Sequence, residues 1–235
     1  MKKLSKTQKI GKLRVLELCS GTKSVSDAIS KFYAEEFPNT TVTTVSVDIN
    51  PRSNPDICAD VIRWNYKRDY PTVGQFDIIW ASPPCTHYSP AKTIGERNFR
   101  MYDAIVKRCF DIIAYYKPAS WFLENPGGAA LLEKRPFMKK YTKYINRCTY
   151  CFYGKPYKKQ TNIWSNVPNL ELMCCNRDTP CSVYKSLEKH LATVQGGFQY
   201  INGVRSARYN NSTTRLNDRY SVPFELIHHI MKKIK

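Results

Sequence analysis

One cysteine and one glutamate stand where a covalent reaction could use them. Cys85 follows two prolines, and Glu124 is followed by an asparagine and a third proline. Consecutive prolines fix the backbone and remove two amide donors, so the next side chain is held in one direction. A thiol presented in this way favours a nucleophile over a residue that only fills the core. A carboxylic acid beside it could exchange a proton with the group under attack.

A second set of polar residues follows apolar runs earlier in the chain. The run that ends at Leu18 leads into a Cys-Ser-Gly-Thr turn, in which Gly21 permits close backbone approach to a ligand. Asp48 follows a β-branched run, at a place where an acid typically accepts hydrogen bonds from ribose hydroxyls. Asp60 follows a third run and could either reach an adenine amino group or cap a helix. The pattern predicts an adenosine site beside the thiol and the glutamate.

These residues need a scaffold that brings them to one edge. Apolar runs predict five strands, at residues 14–18, 41–47, 57–60, 76–81 and 121–123, and helical spacing covers residues 24–36 and 101–116. Strands that alternate with helices predict an α/β fold with a parallel sheet, which binds ligands at the carboxyl ends of its strands. Residues 150–164 could hold two more strands, and residues 224–234 predict a closing amphipathic helix.

The ordered motifs resemble those of the DNA cytosine-5 methyltransferases, in a compact phage or virus type. The series is Leu16-Glu17-Leu18-Cys19-Ser20-Gly21, Val47-Asp48-Ile49, Asp60-Val61, Ser82-Pro83-Pro84-Cys85 and Leu123-Glu124-Asn125-Pro126. Residues 153–161 resemble the family's tyrosine-glycine-x-proline motif, and residues 219–223 resemble its closing motif. The likeness spans about residues 13–166 and 215–235.

The resemblance implies a Rossmann-like S-adenosylmethionine-dependent methyltransferase fold with a small, loop-rich target-recognition insert. It implies transfer of a methyl group from S-adenosylmethionine to carbon 5 of cytosine in DNA, through a covalent Cys85 adduct. The implied catalytic residues are Cys85, Glu124, Lys159 and Thr161. The implied cofactor-binding residues are Leu18, Cys19, Ser20, Gly21, Thr22, Asp48, Ile49, Asp60, Val61, Ser82 and Pro83.

The chain departs from the family's pattern at several positions. Thr86 stands where the family has glutamine after the cysteine, and Pro126 stands where it has valine. In the later motif, Tyr157, Lys159 and Thr161 replace the expected glutamine and arginines. These departures leave the nucleophile and the acid in place.

The predicted organisation is a basic lead (residues 1–12), a catalytic core (13–164), a recognition insert (165–212) and a C-terminal segment (213–235) whose helix returns to the core. The spacing of Cys151, Cys175, Cys181 and His190 could make a Cys3His zinc site. Zinc would staple an insert that has few core residues. Cys148 with Cys151 offers an alternative pair, and scattered reduced thiols are the other interpretation.

The charge of the chain indicates a polyanionic partner. Lys and Arg number 37 against 19 Asp and Glu, a net charge of +18, and 16 Tyr and 10 Phe could stack on bases. We therefore expect a nucleic-acid partner, DNA in preference to RNA, and no obligate protein partner.

The cysteines indicate the compartment. Neither a secretory signal nor an apolar stretch of membrane-spanning length is visible. The nine cysteines are therefore expected to be intracellular thiols, ligands or a nucleophile, with no membrane partner, and the host compartment stays open between cytoplasm and nucleus.

Other functions stay open from the sequence alone. The same reaction on RNA needs the same residues. An amino-methyltransferase would carry a stacking aromatic where this chain has Cys85, and a silent nucleic-acid-binding protein on this fold would need neither Cys85 nor Glu124. A hydrolase built on Cys85 and His87 would also need an orienting Asn or Asp and an oxyanion hole, which the sequence does not place.

Overall fold

The protein is built on one seven-stranded sheet. A computed structural model describes residues 11–89, 92–128, 130–188, 190, 198–201, 204–207 and 220–234. The strands of the sheet are β1 (Gly11–Leu18), β2 (Thr40–Asp48), β3 (Ile57–Cys58), β4 (Ile78–Ala81), β5 (Ser120–Pro126), β6 (Ile145–Thr149) and β7 (Gln160–Ser165).

The spatial order of the strands is β3-β2-β1-β4-β5-β7-β6. Strands β1 to β5 run parallel, and β7 runs antiparallel to both of its neighbours. The chain order reverses between β1 and β4, and the crevice at the carboxyl ends of those two strands is where an open sheet of this kind binds ligands. The predicted α/β, Rossmann-like fold is confirmed.

Helices cover both faces of the sheet. Helices α1 (Ser24–Glu36) and α5 (Phe224–Lys233) pack on one face, and α2 (Tyr66–Asp69) and α3 (Phe99–Tyr116) pack on the other. A further short helix, α4 (Ser182–Leu187), packs beside Cys181. Helix α1 has its predicted bounds, and α3 begins two residues before the predicted start because the Asn98 side chain caps the amide of Met101. Among the residues that the structure describes, no helix combines the length and the apolar character needed to cross a membrane.

Alternating residues of the central strands feed two apolar cores. On β1, Val15 packs with α1 and α5, whereas Leu16 packs with α3 on the opposite face. The Val222 amide donates a hydrogen bond to Ser24 Oγ at 3.0 Å, so the chain that enters α5 passes the start of α1. The C-terminal helix thereby returns to the core beside the loop that follows β1.

The region after residue 144 differs from its predicted layout. Residues 150–164 were expected to contain two strands, but β6 ends at Thr149 and Tyr150–Tyr153 forms a short 3-10 helix. Only β7 lies within that range. The difference arises because β6 and β7 pair antiparallel, so the chain between them must reverse direction.

The described part of the predicted insert contains α4 and a separate antiparallel hairpin of β8 (Phe198–Ile201) and β9 (Val204–Ala207). Most of the basic lead, and Arg219 of the closing motif, lie outside the described residues. The domain boundaries stay a prediction.

Candidate active site

The loop after β1 forms a tight turn against the end of β2. Gly21 has a φ of 48°, in the left-handed region that favours glycine, and its amide donates to Asp48 Oδ2 at 2.8 Å. The Ser20 amide donates to the Val47 carbonyl at 3.1 Å. Cys19 also has a positive φ, of 54°, and the neighbouring thiol of Cys109 together with burial raises the pKa of the Cys19 thiol. The turn is therefore fixed by backbone contacts, with Cys19 kept as a thiol.

Asp48 shapes this turn and also borders open space. Its Oδ1 accepts a hydrogen bond from the Asn50 amide at 2.8 Å. The next residue, Ile49, is 66% exposed, although it is large and apolar. The Asp48 carboxylate can accept hydrogen bonds from a ribose, and the exposed Ile49 side chain can pack against an adenine ring.

Asp60 caps a turn, and no helix begins at it, since the next helix starts at Tyr66 with Asn65 as its cap. β3 ends at Cys58, and Asp60 begins the turn that follows, with Oδ1 accepting the Ile62 amide at 2.9 Å. Val61 is buried in the apolar core, whereas Thr22 is exposed at the rim of the β1 turn. Contact between Asp60 and an adenine stays a prediction.

Three buried side-chain oxygens have no hydrogen-bond partner among the described residues: Ser20 Oγ, Ser26 Oγ and Asn125 Oδ1. Ser20 Oγ lies on the turn next to Gly21. Buried hydroxyl groups are normally bonded, so this oxygen points to a missing polar ligand group. The unpaired hydroxyl, the Asp48 carboxylate and exposed Ile49 fit S-adenosylmethionine, whose nucleoside and amino-acid parts need acceptors, donors and an apolar surface.

The turn that carries Cys85 is held by two neighbouring strands. The Ser82 amide donates to the Leu18 carbonyl of β1 at 3.0 Å. The Asn125 side-chain amide, at the end of β5, donates to the Pro83 carbonyl at 2.9 Å in a buried position. The Cys85 carbonyl then accepts the amides three and four residues later. Cys85 is thus presented at the carboxyl end of β4 on a backbone with little freedom.

Glu124 is buried and held by two side chains from the β6–β7 connection. The Tyr150 hydroxyl donates to Glu124 Oε1 at 2.9 Å, and Lys159 Nζ lies 3.5 Å from the same oxygen. Lys159 Nζ also lies 4.6 Å from the centre of the Tyr150 ring. The side chains of Lys159 and Glu124 are only 13% and 9% exposed, so water screens this ion pair weakly.

Cys85 belongs electrostatically to the same cluster. Burial raises the pKa of the Cys85 thiol, and the negative charge of Glu124 raises it further. The cation of Lys159 acts in the opposite sense and lowers the pKa. The free protein therefore holds Cys85 mainly as a thiol at neutral pH, and Lys159 is the group that favours the thiolate.

Three of the four predicted catalytic residues, Cys85, Glu124 and Lys159, thus lie in one cluster, and Thr161 lies two residues after Lys159 in β7. Thr161 is buried in β7, where its hydroxyl lies 3.5 Å from the Lys159 carbonyl. Tyr150 was not predicted. Its only sequence signal was an aromatic residue in a stretch assigned to a strand, and the antiparallel return of β7 is what brings it to Glu124.

The contacts of His87 do not suit a catalytic base for Cys85. Its Nδ1 accepts the Asn98 amide at 2.5 Å, and its ring lies 4.2 Å from the ring of Tyr102. The Asn98 side chain caps α3 instead of orienting the imidazole. This geometry disfavours the Cys–His hydrolase.

A basic cleft lies beside the buried site. It has a volume of about 580 Å³ and runs between β7 and the insert. Lys134, Arg147 and Lys158 line it together with polar side chains such as Asn162 and Asn176. Cations and amides in a concave surface suit phosphate and base edges.

The four predicted metal ligands also come together. The ligand atoms of Cys151, Cys175, Cys181 and His190 all lie within 4.8 Å of one another. Cys148, the alternative partner of Cys151, packs instead in the apolar core with α1 and α5.

Comparison with known proteins gives a relative over nearly the whole chain. No family model matches. The chain is 25% identical over 228 residues to a "Probable DNA (cytosine-5)-methyltransferase" of Frog virus 3 (isolate Goorha), which covers 92% of this chain and 97% of that protein.

Similar solved structures include a Spodoptera frugiperda DNMT2 mutant, at 16% identity and a TM-score of 0.43, over 77% of this chain and 61% of that one. The DszA carbon methyltransferase aligns at 10% identity and a TM-score of 0.34, over 68% of this chain and 48% of that one. The relative from Frog virus 3 confirms the resemblance drawn from the motifs: over nearly its whole length, this chain is similar to the DNA cytosine-5 methyltransferases.

Proposed function

We propose that the protein transfers a methyl group from S-adenosylmethionine to carbon 5 of a cytosine in DNA, with Cys85 as the nucleophile. The observation that carries the proposal is the placement of Cys85 and Glu124 at the ends of neighbouring strands, joined by the Asn125–Pro83 hydrogen bond, with Lys159 paired to Glu124. Carbon 5 of cytosine is a poor nucleophile until a thiolate adds to carbon 6. Covalent catalysis therefore requires a thiol and an acid in one site.

The residues of the cluster account for each change in the base. Cys85 Sγ adds to carbon 6, and the electron pair of the carbon 5–carbon 6 bond moves toward the ring nitrogen. The proton that Cys85 loses passes through the Glu124 carboxylate to N3, where it neutralises the developing charge. S-adenosylmethionine, when bound, supplies an electrophilic methyl group to carbon 5. The methyl donor leaves as S-adenosylhomocysteine. Loss of the carbon 5 proton to solvent then re-forms the carbon 5–carbon 6 double bond and expels the Cys85 thiolate, and N3 returns its proton to Glu124.

Lys159 has two roles in this proposal. Its cation lowers the pKa of the Cys85 thiol, which raises the fraction of reactive thiolate. Its contact with Glu124 Oε1, shared with the Tyr150 hydroxyl, fixes the direction of the carboxyl group. Tyr150 is a positioning residue, because it acts through Glu124.

The substrate is proposed to be DNA. The relative from Frog virus 3 carries a DNA methyltransferase name over the same length of chain. The net charge of +18 and the basic cleft beside Thr161 suit a polyanion. In a duplex, the target base must leave the stack, at a cost of about a few kcal/mol, before Cys85 can reach carbon 6.

Transfer of a tritiated methyl group tests the proposal. Wild-type protein is given mixed-sequence DNA or RNA, and the labelled nucleoside is identified after digestion. We expect 5-methylcytosine from DNA, little label from RNA, and loss of label with Cys85→Ala or Glu124→Gln. Glu35→Gln, an exposed carboxyl change on α1, is the matched control and should keep wild-type activity. Label found mainly in RNA would show that RNA is the substrate instead of DNA. Label on an exocyclic nitrogen would contradict methyl transfer to carbon 5.

A further inference from the structure

A cluster of soft ligands lies outside the catalytic site. It joins Cys151, on the 3-10 helix after β6, to Cys175, Cys181 and His190 of the insert. The three cysteines are buried, and His190 is half-buried. Free thiols seldom gather with an imidazole in this way unless they share a ligand, since none of them satisfies the others strongly.

The spacing of the ligand atoms agrees with a tetrahedral metal site. His190 Nε2 lies 3.5 Å from Cys181 Sγ and 3.7 Å from Cys175 Sγ. With Zn–S of about 2.3 Å and Zn–N of about 2.0 Å, a tetrahedron has sulfur–nitrogen edges of about 3.5 Å. Two of the six edges of the tetrahedron, both from His190, therefore already have about the length that zinc requires.

The backbone around the cluster supports the ligands. The Cys181 amide donates to Cys175 Sγ at 3.3 Å, a contact that stabilises a thiolate. Thr149 Oγ1 accepts the Cys175 amide at 2.7 Å and lies 3.5 Å from Cys151 Sγ. Thr149, which is not a ligand, thus contacts two of the four ligand residues, as outer-shell groups do in metal sites.

We propose that Cys151, Cys175, Cys181 and His190 bind one zinc ion as a closed structural site. Four protein ligands leave no open position, so the ion holds structure and performs no reaction. It fastens the segment from residue 171 to residue 190 onto the turn that carries Tyr150. Tyr150 donates a hydrogen bond to Glu124, so the zinc site also holds the turn beside the catalytic cluster in place. The zinc proposal does not depend on the proposed reaction.

Metal analysis of the full chain tests this site directly. Protein purified reduced and without chelators should contain one zinc per chain, and X-ray absorption should show three sulfur ligands and one nitrogen ligand. Replacement by Co²⁺ should give the intense visible absorption of a tetrahedral thiolate site. A folded wild-type protein with no bound metal would overturn the proposal, and so would a disulfide among the three cysteines.

Variants separate these ligands from neighbouring thiols. Cys181→Ser and His190→Ala should lower bound zinc at least fivefold. Cys174→Ser is the matched control, because Cys174 is adjacent to Cys175 but its Sγ lies 3.2 Å from the Arg147 carbonyl, and it should keep the full metal content. Equal zinc loss in Cys174→Ser and Cys181→Ser would overturn the ligand assignment. Chelation of wild type should also speed hydrogen exchange in residues 171–188 more than in β1, and unchanged exchange in that segment would contradict the stapling role.

Discussion

Glu17 makes the stability of this protein depend on pH. Its side chain lies at the buried end of β1, 1% exposed, and its Oε2 accepts the Ser26 amide at 2.9 Å. Burial raises the pKa of the Glu17 carboxyl from 4.5 to about 7, although the contacts with Ser26 lower it in part. The folded protein therefore binds a proton at Glu17 more tightly than the unfolded chain does.

The sign and size of the effect follow from this difference. Because the folded-state pKa is the higher one, the contribution to stability is present below pH 4.5 and is lost as the pH rises through 7. Each pKa unit corresponds to about 1.4 kcal/mol, so the ionised carboxyl costs the folded state about 3 kcal/mol at alkaline pH. About 2.5 kcal/mol of this is lost between pH 5 and pH 8.

The perturbation is Glu17→Gln, which keeps the shape of the side chain and an oxygen for the Ser26 amide but cannot ionise. Urea unfolding of wild type and variant is measured from pH 5 to pH 8 at fixed zinc, and other titrating groups cancel in the difference. We expect the variant to gain about 2.5 kcal/mol relative to wild type across this range. Glu35→Gln, on the exposed face of α1, should track wild type. Parallel stability curves for Glu17→Gln and wild type would refute the assignment of a raised pKa.

Three further predictions concern the site. The alkylation rate of Cys85, measured by mass spectrometry of the peptide that contains it, should still rise above pH 8.5, because burial and Glu124 raise the pKa of the thiol. Lys159→Met should slow alkylation at pH 8, and a wild-type rate that levels off at or below pH 8 would contradict the raised pKa. Asp48→Ala should weaken S-adenosylmethionine binding at least tenfold by calorimetry, since it removes a charged acceptor, and equal affinities would take Asp48 out of the site. Tyr150→Phe should lower the methyl-transfer rate about tenfold with an unchanged cofactor Kd, because Glu124 loses its donor; an unchanged rate would make Tyr150 merely structural.

The sequence predicted the parts of the fold that follow from local patterns. The β-branched run of β2 and the apolar runs of β1, β4 and β5 mark their strands because each contains at least three consecutive buried residues, which lie on both faces of the sheet. β6 was misplaced because the segment Ile145–Thr149 is short and mixed in polarity, so no periodicity sets its bounds. Asp60 could not be assigned, because a turn carboxylate can cap an amide or bind a ligand equally well.

The candidate site was likewise predicted from the sequence only in part. Cys85 and Glu124 were identified by the short motifs in which they stand, Pro-Pro-Cys and Glu-Asn-Pro. The four metal ligands were grouped because cysteine and histidine are typical zinc ligands. The contact of Asn125 with Pro83 spans 42 positions, and that of Tyr150 with Glu124 spans 26. Such contacts depend on strand order and register, which only the folded sheet provides.

The covalent adduct tests the central claim most directly. DNA that carries 5-fluorocytosine is incubated with the protein and S-adenosylmethionine, then denatured and separated. Fluorine at carbon 5 leaves no proton to remove, so Cys85 cannot be expelled and a protein–DNA band should survive denaturation. Cys85→Ser should give no band, because a hydroxyl is far less ionised than a thiol, and mass spectrometry should place the DNA on the Cys85 peptide. A band of equal intensity with Cys85→Ser, or an adduct on another cysteine, would contradict the account.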